Sequence, residues 1–224
     1  MSDNFDIPTE IPAMTLPGIV FFPKAMVPLH IFEPRYRQML SEVLETHRMF
    51  ALLGLDENAA QSNESHEPPV MTASAGMVRV CRKNDDGTSN LVLQGISRIR
   101  VLSIVSEEPY RMVKIEKLST IVDEATPITR PELSQLLEEN RDLGGDATEE
   151  MLDFLNPIDD DEAYVDLAAF ALCKETLRKQ RMLEALDLTE RASLLADHFR
   201  SENERLRLFK ETMGDFPGEN LEAN

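Results

Sequence analysis

Pro28-Leu-His-Ile-Phe-Glu-Pro-Arg-Tyr36 runs directly into a helical pattern, and the joint between the two decides how the chain is read. Tyr36, Met39, Leu40, Val43 and Leu44 fall at helical spacing and gather into one apolar stripe, while Pro34 suits the first helical turn because its missing N–H has no intrahelical partner there. The spacing predicts a helix over 34–46. Each residue of the joint also has a plain structural role. Pro28 and Pro34 stiffen the approach to the helix, Ile31 and Phe32 offer apolar surface for burial, and Tyr36 begins the stripe. Glu33 and Arg35 need partners if they lie near a buried junction. Fold maintenance therefore explains the motif better than ligand contact. His30, Phe32, Glu33, Arg35 and Tyr36 nevertheless form the candidate ligand or domain-junction surface, with the 56–71 segment and the space between two domains as alternatives.

Outward from the joint, the first half reads as short strands divided by turn residues. Ile11 to Leu16 is one, and Pro17-Gly18 separates it from Ile19-Val-Phe-Phe22. Met77 to Cys81 and Leu91 to Leu93 flank Asn84-Asp-Asp-Gly87, whose Asp-Gly step supplies the positive φ a hairpin connection needs. Arg98 to Val105 and Arg111 to Leu118 add two further strands across Ser106-Glu-Glu-Pro109. These strands imply a twisted sheet or partly closed barrel. Asp56 to Met71, with Asn, Gln, Ser, His and Pro68-Pro69, reads as an exposed connecting loop.

After about residue 123 the period becomes helical, through Leu133, Leu136 and Leu137, then Val165 to Leu172. Asn156-Pro157 and the acids Asp159 to Glu162 fit a loop and a helix N-terminal turn, where carboxylates offset the positive end of the dipole. The acids lack the alternating ligands, turn glycine and distal Glu of a calcium loop. A longer helix starts near Asp187 or Thr189 and runs toward Met213, with Gly214 as its stop and an acidic tail beyond.

Charge and composition exclude several function classes. Twenty-three Lys and Arg against 41 Asp and Glu leave a formal charge of −18, which repels a polyanion and argues against nucleic acid. Two cysteines, Cys81 and Cys173, do not make the framework of a small secreted domain and read as reduced, buried thiols. The acidic N-terminus lacks the signature of an export signal, and no apolar run approaches the roughly 20 residues a membrane span needs. A soluble, cytoplasmic protein with no membrane association is expected.

The same sequence offers no chemistry. It has neither a phosphate-binding loop nor a dinucleotide fingerprint, and no Gly-x-Ser-x-Gly elbow. His30, His47, His66 and His198 are scattered, without His-Glu-x-x-His or a Cys/His cluster, so no metal or other cofactor is expected. A carboxylate pair for sugar hydrolysis is disfavoured by the absence of Trp and the presence of only three Tyr. Eleven Met are chiefly core filling, although thioethers also suit adaptable binding surfaces.

Residues 11–37 resemble the N-terminal substrate-binding domain of Lon proteases. The family's order of Leu-Pro, Phe-Pro and Pro-Leu-x-Ile-Phe-Glu-x-Arg-Tyr is matched by Leu16-Pro17, Phe22-Pro23, Pro28-Leu29, Ile31-Phe32-Glu33 and Arg35-Tyr36. Gly76 to Val80, Gly95 to Arg98 and Glu108-Pro-Tyr110 are similar to later strand motifs, and Lys179-Gln180, Leu183-Glu184 and Arg191 to the helical part. The resemblance implies an α+β fold, a PUA-like β-barrel with an inserted helix over 8–122, then a helical bundle over 123–214 and an acidic tail over 215–224. The ATPase and Ser-Lys protease motifs of full Lon proteins do not occur in the sequence, so the resemblance implies a stand-alone, non-enzymatic module that recognises polypeptide or unfolded protein segments in an adaptor-like role. A small-molecule sensor using a pocket of the barrel is the alternative. RNA binding, which the PUA-like analogy also suggests, is opposed by the charge.

Overall fold

A computed structural model describes residues 6–60, 67–122 and 130–214. Strand β1 (Glu10–Leu16) and β2 (Met26–Ile31) lead into α1 (Pro34–Glu45), then β3 (Met49–Gly54), the short α2 (Glu57–Ala60), β4 (Thr72–Lys83), β5 (Ser89–Ser106) and β6 (Met112–Lys117). Helices α3 (Arg130–Asp142), α4 (Glu149–Leu155), α5 (Asp161–Leu172), α6 (Thr176–Glu184) and α7 (Leu188–Gly214) follow. The fold is α+β, a near-barrel sheet followed by helices, as expected.

The sheet is organised by β5, which is 18 residues long. One of its edges pairs with β4 from Ser89 to Arg100, while the other pairs with β2 through Ser89 to Gln94 and with β6 through Ile99 to Ser106. Strand β4 pairs with β3, β3 runs parallel to β1, and β1 pairs with β6, so five strands close on one another and β2 is left on an edge. The partner exchange along β5 passes through Gly95. Its N–H donates to the Ala25 carbonyl at 2.9 Å and its carbonyl accepts from Lys24 N–H at 2.8 Å. A Cβ on Gly95 would lie 2.1 Å from the Phe22 carbonyl oxygen, so only glycine lets the incoming chain cross here.

Inside the closed strands lie Ile11, Ala13, Ala51, Leu53, Ala73, Ala75, Ile99, Val101, Val113 and Ile115. The four alanines suit the narrow interior of a small barrel. A larger core lies outside it, where Met14, Phe50 and Leu52 meet Tyr36, Met39, Leu40 and Val43 of α1 and the apolar faces of α3 to α7. Strand β3 is buried along its whole length, one face in each core.

Several sequence expectations need correction. Ile19 to Phe22 is not a strand: Val20, Phe21 and Phe22 are buried side chains on an irregular crossing, held by Ser74 Oγ donating to the Phe21 carbonyl at 2.6 Å. Leu91 to Leu93 and Arg98 to Val105 are parts of one strand. The 56–71 segment begins with α2, and Leu55 bridges Pro69; residues 61–66 lie outside the described residues. Cys81 is half-buried rather than buried, whereas Cys173 is buried, and both are free thiols. The tail over 215–224 also lies outside the described residues.

The strands are joined to the helices by a buried ionic cluster. Arg98 on β5 donates to Asp166 Oδ1 on α5 at 2.5 Å, and Arg191 on α7 donates to the same oxygen at 2.9 Å. Arg98 Nε also reaches the Leu183 carbonyl at 3.1 Å, and Arg191 the Ala185 carbonyl at 2.9 and 3.0 Å. All three charged residues are at most 1% exposed. Asp166 Oδ2 is buried without a hydrogen-bond partner among the described residues. Within the helices, Asn140 donates to Asn203 Oδ1 at 2.8 Å, and Asn203 donates to the Leu136 carbonyl at 3.0 Å, tying α3 to α7. Asp160 caps α5 by accepting from Ala163 N–H at 3.0 Å.

Candidate functional site

Alternation along β2 sets the geometry of the site. Val27 and Ile31 are buried, which turns Met26, Pro28 and His30 outward. Register extends this face across two more strands. Met26 lies opposite Gln94 and Met77, Pro28 opposite Val92 and Val80, and His30 opposite Asn90 and Arg82. The central row is thus Pro28, Val92 and Val80, and Phe32 continues the strip beyond the end of β2. Met26, Phe32 and Val80 are 58%, 61% and 61% exposed, so Phe32 is not buried as expected from the sequence. An apolar strip, interrupted by the polar row His30, Asn90 and Arg82, faces solvent at this side of the sheet.

The five residues singled out from the sequence divide between this strip and the core. His30 stacks on Phe32 with ring centroids 6.0 Å apart, and its Nδ1 is 2.8 Å from Asn90 Oδ1, so the two rings form one exposed unit. Tyr36 is buried, and burial holds its hydroxyl above the ordinary tyrosine range. Arg35 lies over the Tyr36 ring, 4.4 Å from its centroid. It donates to Glu33 at 2.9 Å and to both carboxylate oxygens of Glu67 at 2.8 and 3.1 Å. The bonds to Glu67 are the main reason its guanidinium is held even more firmly protonated than usual. Arg111, itself buried, donates to the Glu67 carbonyl at 2.9 Å, to Thr15 at 2.6 Å and to Glu107 at 2.9 and 3.1 Å. Glu33, Arg35 and Tyr36 thus lock the corner between β2 and α1, while His30 and Phe32 present its outer surface.

Met26, Val80 and Val92 were missed in the sequence. The signal for Met26 was the alternation running through to Phe32. Val80 and Val92 required the β4–β5 register, which has a shift between Val78 and Val80 that no periodicity announces. The strip has no nucleophile and base set to act together. Cys173 is buried and its thiol is pushed up by desolvation, opposite to what nucleophilic attack needs. Among the described residues, no group of three His, Cys, Asp or Glu is gathered to hold a metal. No helix there is long and apolar enough to cross a membrane. An exposed apolar strip backed by a fixed corner has the geometry to pack against another apolar surface.

Comparison with known proteins agrees with this architecture. Residues 10–200 match the family described as the ATP-dependent protease La (LON) substrate-binding domain. The chain is 24% identical over 204 residues to a Lon protease of Desulfosudis oleivorans, an alignment covering 90% of this chain and 25% of that protein. It is 28% identical over 207 residues to a Lon protease of Lawsonia intracellularis, covering 89% of this chain and 24% of the relative. The chain therefore spans about a quarter of the length of these curated relatives. In fold it is similar to the crystal structure of a Lon N-terminal domain protein from Xanthomonas campestris, with a TM-score of 0.63 at 19% identity, covering 84% of this chain and 97% of that one. The N-terminal domain of a Mycobacterium avium complex Lon protease gives a TM-score of 0.61 at 16% identity, covering 85% and 98%.

Proposed function

The chain belongs to the Lon substrate-binding domain family, and on that premise we propose that it is a non-catalytic recognition module that binds extended apolar segments of polypeptide on the outward strip of β2, β5 and β4. The observation that carries this reading is the outward row Pro28, Val92 and Val80 across β2, β5 and β4, flanked by the exposed Met26 and Phe32. Unfolded protein exposes such segments, and folded protein hides them. The adaptor role and a cytoplasmic setting belong to the same reading, as does the division into a barrel over 8–122 and a helical unit over 123–214.

A second feature favours strip binding over strand addition. Pro28 has no N–H, so an incoming strand cannot form a continuous ladder along β2, and affinity must come mainly from side chains. His30 and Phe32 form an aromatic pair suited to that task.

The test is a titration of a labelled, permanently unfolded protein against the native chain and Phe32→Ser. Phe32 is exposed, so the variant should fold with a stability change within about 0.5 kcal/mol, while its affinity falls about tenfold. Unchanged affinity in the folded variant would remove the strip as the binding surface.

A further inference from the structure

The large clefts of the molecule differ in the charge that lines them. Residues 6–122 carry 12 Lys and Arg against 14 Asp and Glu, whereas residues 130–214 carry 11 against 21. A cleft among the helices is lined by Asp146, Glu175 and Glu202 as well as Lys174 and Arg205. The cleft between strands and helices sets Asp160, Glu162 and Asp166 against Lys24, Arg98 and Lys117. The groove between α1 and the β4–β5 hairpin is different. It is about 540 Å³, within the range of ligand-sized pockets, and its lining includes Arg37 and Lys83 but no carboxylate.

The walls are built from both elements. Leu40 and Leu44 of α1, Cys81 of β4 and Pro34 supply the apolar surface, while Gln38 and Ser41 supply polar groups. Arg37 reaches across to the hairpin turn and lies so close over Gly87 that a Cβ there would be 2.2 Å from its Nη2. Gly87 also has a φ of +81°, so this residue both makes the turn and admits the guanidinium. Two acids border the groove: Asp86, whose Oδ1 accepts from the Thr88 N–H at 2.9 Å and the Thr88 hydroxyl at 2.7 Å, and Glu42, which accepts from Gln38 at 3.0 Å. At about 0.15 M salt, charges beyond about 8 Å are largely screened. The distant charge of the chain is therefore largely screened inside the groove, and the local balance is that of Arg37 and Lys83 in its wall against Asp86 and Glu42 at its rim.

We propose that this groove docks an acidic polypeptide segment, with an Asp or Glu carboxylate between Arg37 and Lys83 and a neighbouring aliphatic or aromatic side chain on Leu40, Leu44 and Cys81. The assignment rests on the polypeptide-binding reading above: the groove is the inward side of the hairpin whose outward side carries Val80 and Val92. It adds a charge preference that the strip alone does not provide. An arginine fork gives the carboxylate a directed contact, and the apolar wall distinguishes such a segment from a simple anion.

Cys81 makes the groove directly observable, because it is half-buried in the wall while Cys173 is buried. The experiment follows modification of the Cys81 thiol by N-ethylmaleimide in the folded protein. Two short peptides share the same Leu and Phe residues, one carrying Asp and Glu and the other Lys. At saturation the acidic peptide should slow modification about fivefold by covering the thiol, and the Lys peptide at the same concentration, lacking the ion pairs that favour binding, should leave the rate within about twofold. Arg37→Gln combined with Lys83→Gln should abolish the protection, read as the ratio of the rates with and without peptide in that same variant, because removing two cations beside the thiol also changes its intrinsic reactivity.

Equal protection by the two peptides, none by the acidic one, or equal protection by an oligothymidylate would overturn the assignment. If acidic protection is absent while unfolded protein still binds in a Phe32-dependent manner, the groove assignment alone fails. If Phe32-dependent binding is also absent, the proposed function fails with it.

Discussion

At the scale of single residues, Asp166 carries the greatest consequence for stability. Arg98 and Arg191 converge on its Oδ1, so removing this one carboxylate leaves two buried guanidinium groups with the more exposed Glu162, 3.2 and 3.8 Å away, as their remaining carboxylate partner. Asp166→Leu should therefore cost about 3–5 kcal/mol in urea unfolding, and Arg98→Met less, because it leaves the Asp166–Arg191 pair in place. Replacing all three by apolar residues should recover much of the loss, since desolvating the charges offsets most of their attraction. Two histidines give the molecule a pH dependence. Burial lowers the pKa of both His47 and His198, and His47 Nδ1 accepts from Met49 N–H at 3.0 Å, a bond that protonation of that nitrogen removes. Their folded pKa values lie below the unfolded value of about 6.5, so the unfolded chain takes up protons first. Their contribution is present above about pH 6.5 and is lost as pH falls through the depressed folded values. Melting temperatures should fall over that window, and His198→Phe should flatten the fall.

At the scale of elements, the exchange of partners along β5 is the critical joint. Gly95→Ala would place a methyl carbon against backbone at Phe22, where no side-chain rotation relieves the contact, and should cost about 2–4 kcal/mol by chemical denaturation. Gly87→Ala should be milder, because its close neighbour is the end of the Arg37 side chain, although the positive φ still penalises it. The same elements show what the sequence made legible. Helix α1 was readable because its stripe of Tyr36, Met39, Leu40 and Val43 faces a single core. The hairpin was readable from Asp-Gly. Strand β3 was not, because Met49-Phe-Ala-Leu-Leu-Gly54 is buried on both faces and so has no alternation. Ile19 to Phe22 misled for the opposite reason: an apolar run buried on an irregular path has the composition of a strand without its ladder. Of the proposed strip, His30 and Phe32 stand in the family-like motif. Val80 and Val92 were hidden by the register shift, and the groove at Arg37 and Lys83 by the long-range meeting of α1 with the hairpin.

At the scale of the whole molecule, the ionic cluster ties the closed strands to α5 and α7, and the proposed binding surfaces lie on the sheet side of that junction. That placement makes a regional prediction. Amide hydrogen exchange, measured with and without a saturating unfolded polypeptide, should show new protection in β2, in β4 from Met77 to Lys83, and in residues 32–38. Exchange in α3, α4 and α7 should be unchanged. Protection confined to the helices, or no change anywhere under conditions of demonstrated binding, would contradict recognition by the β2, β5 and β4 strip.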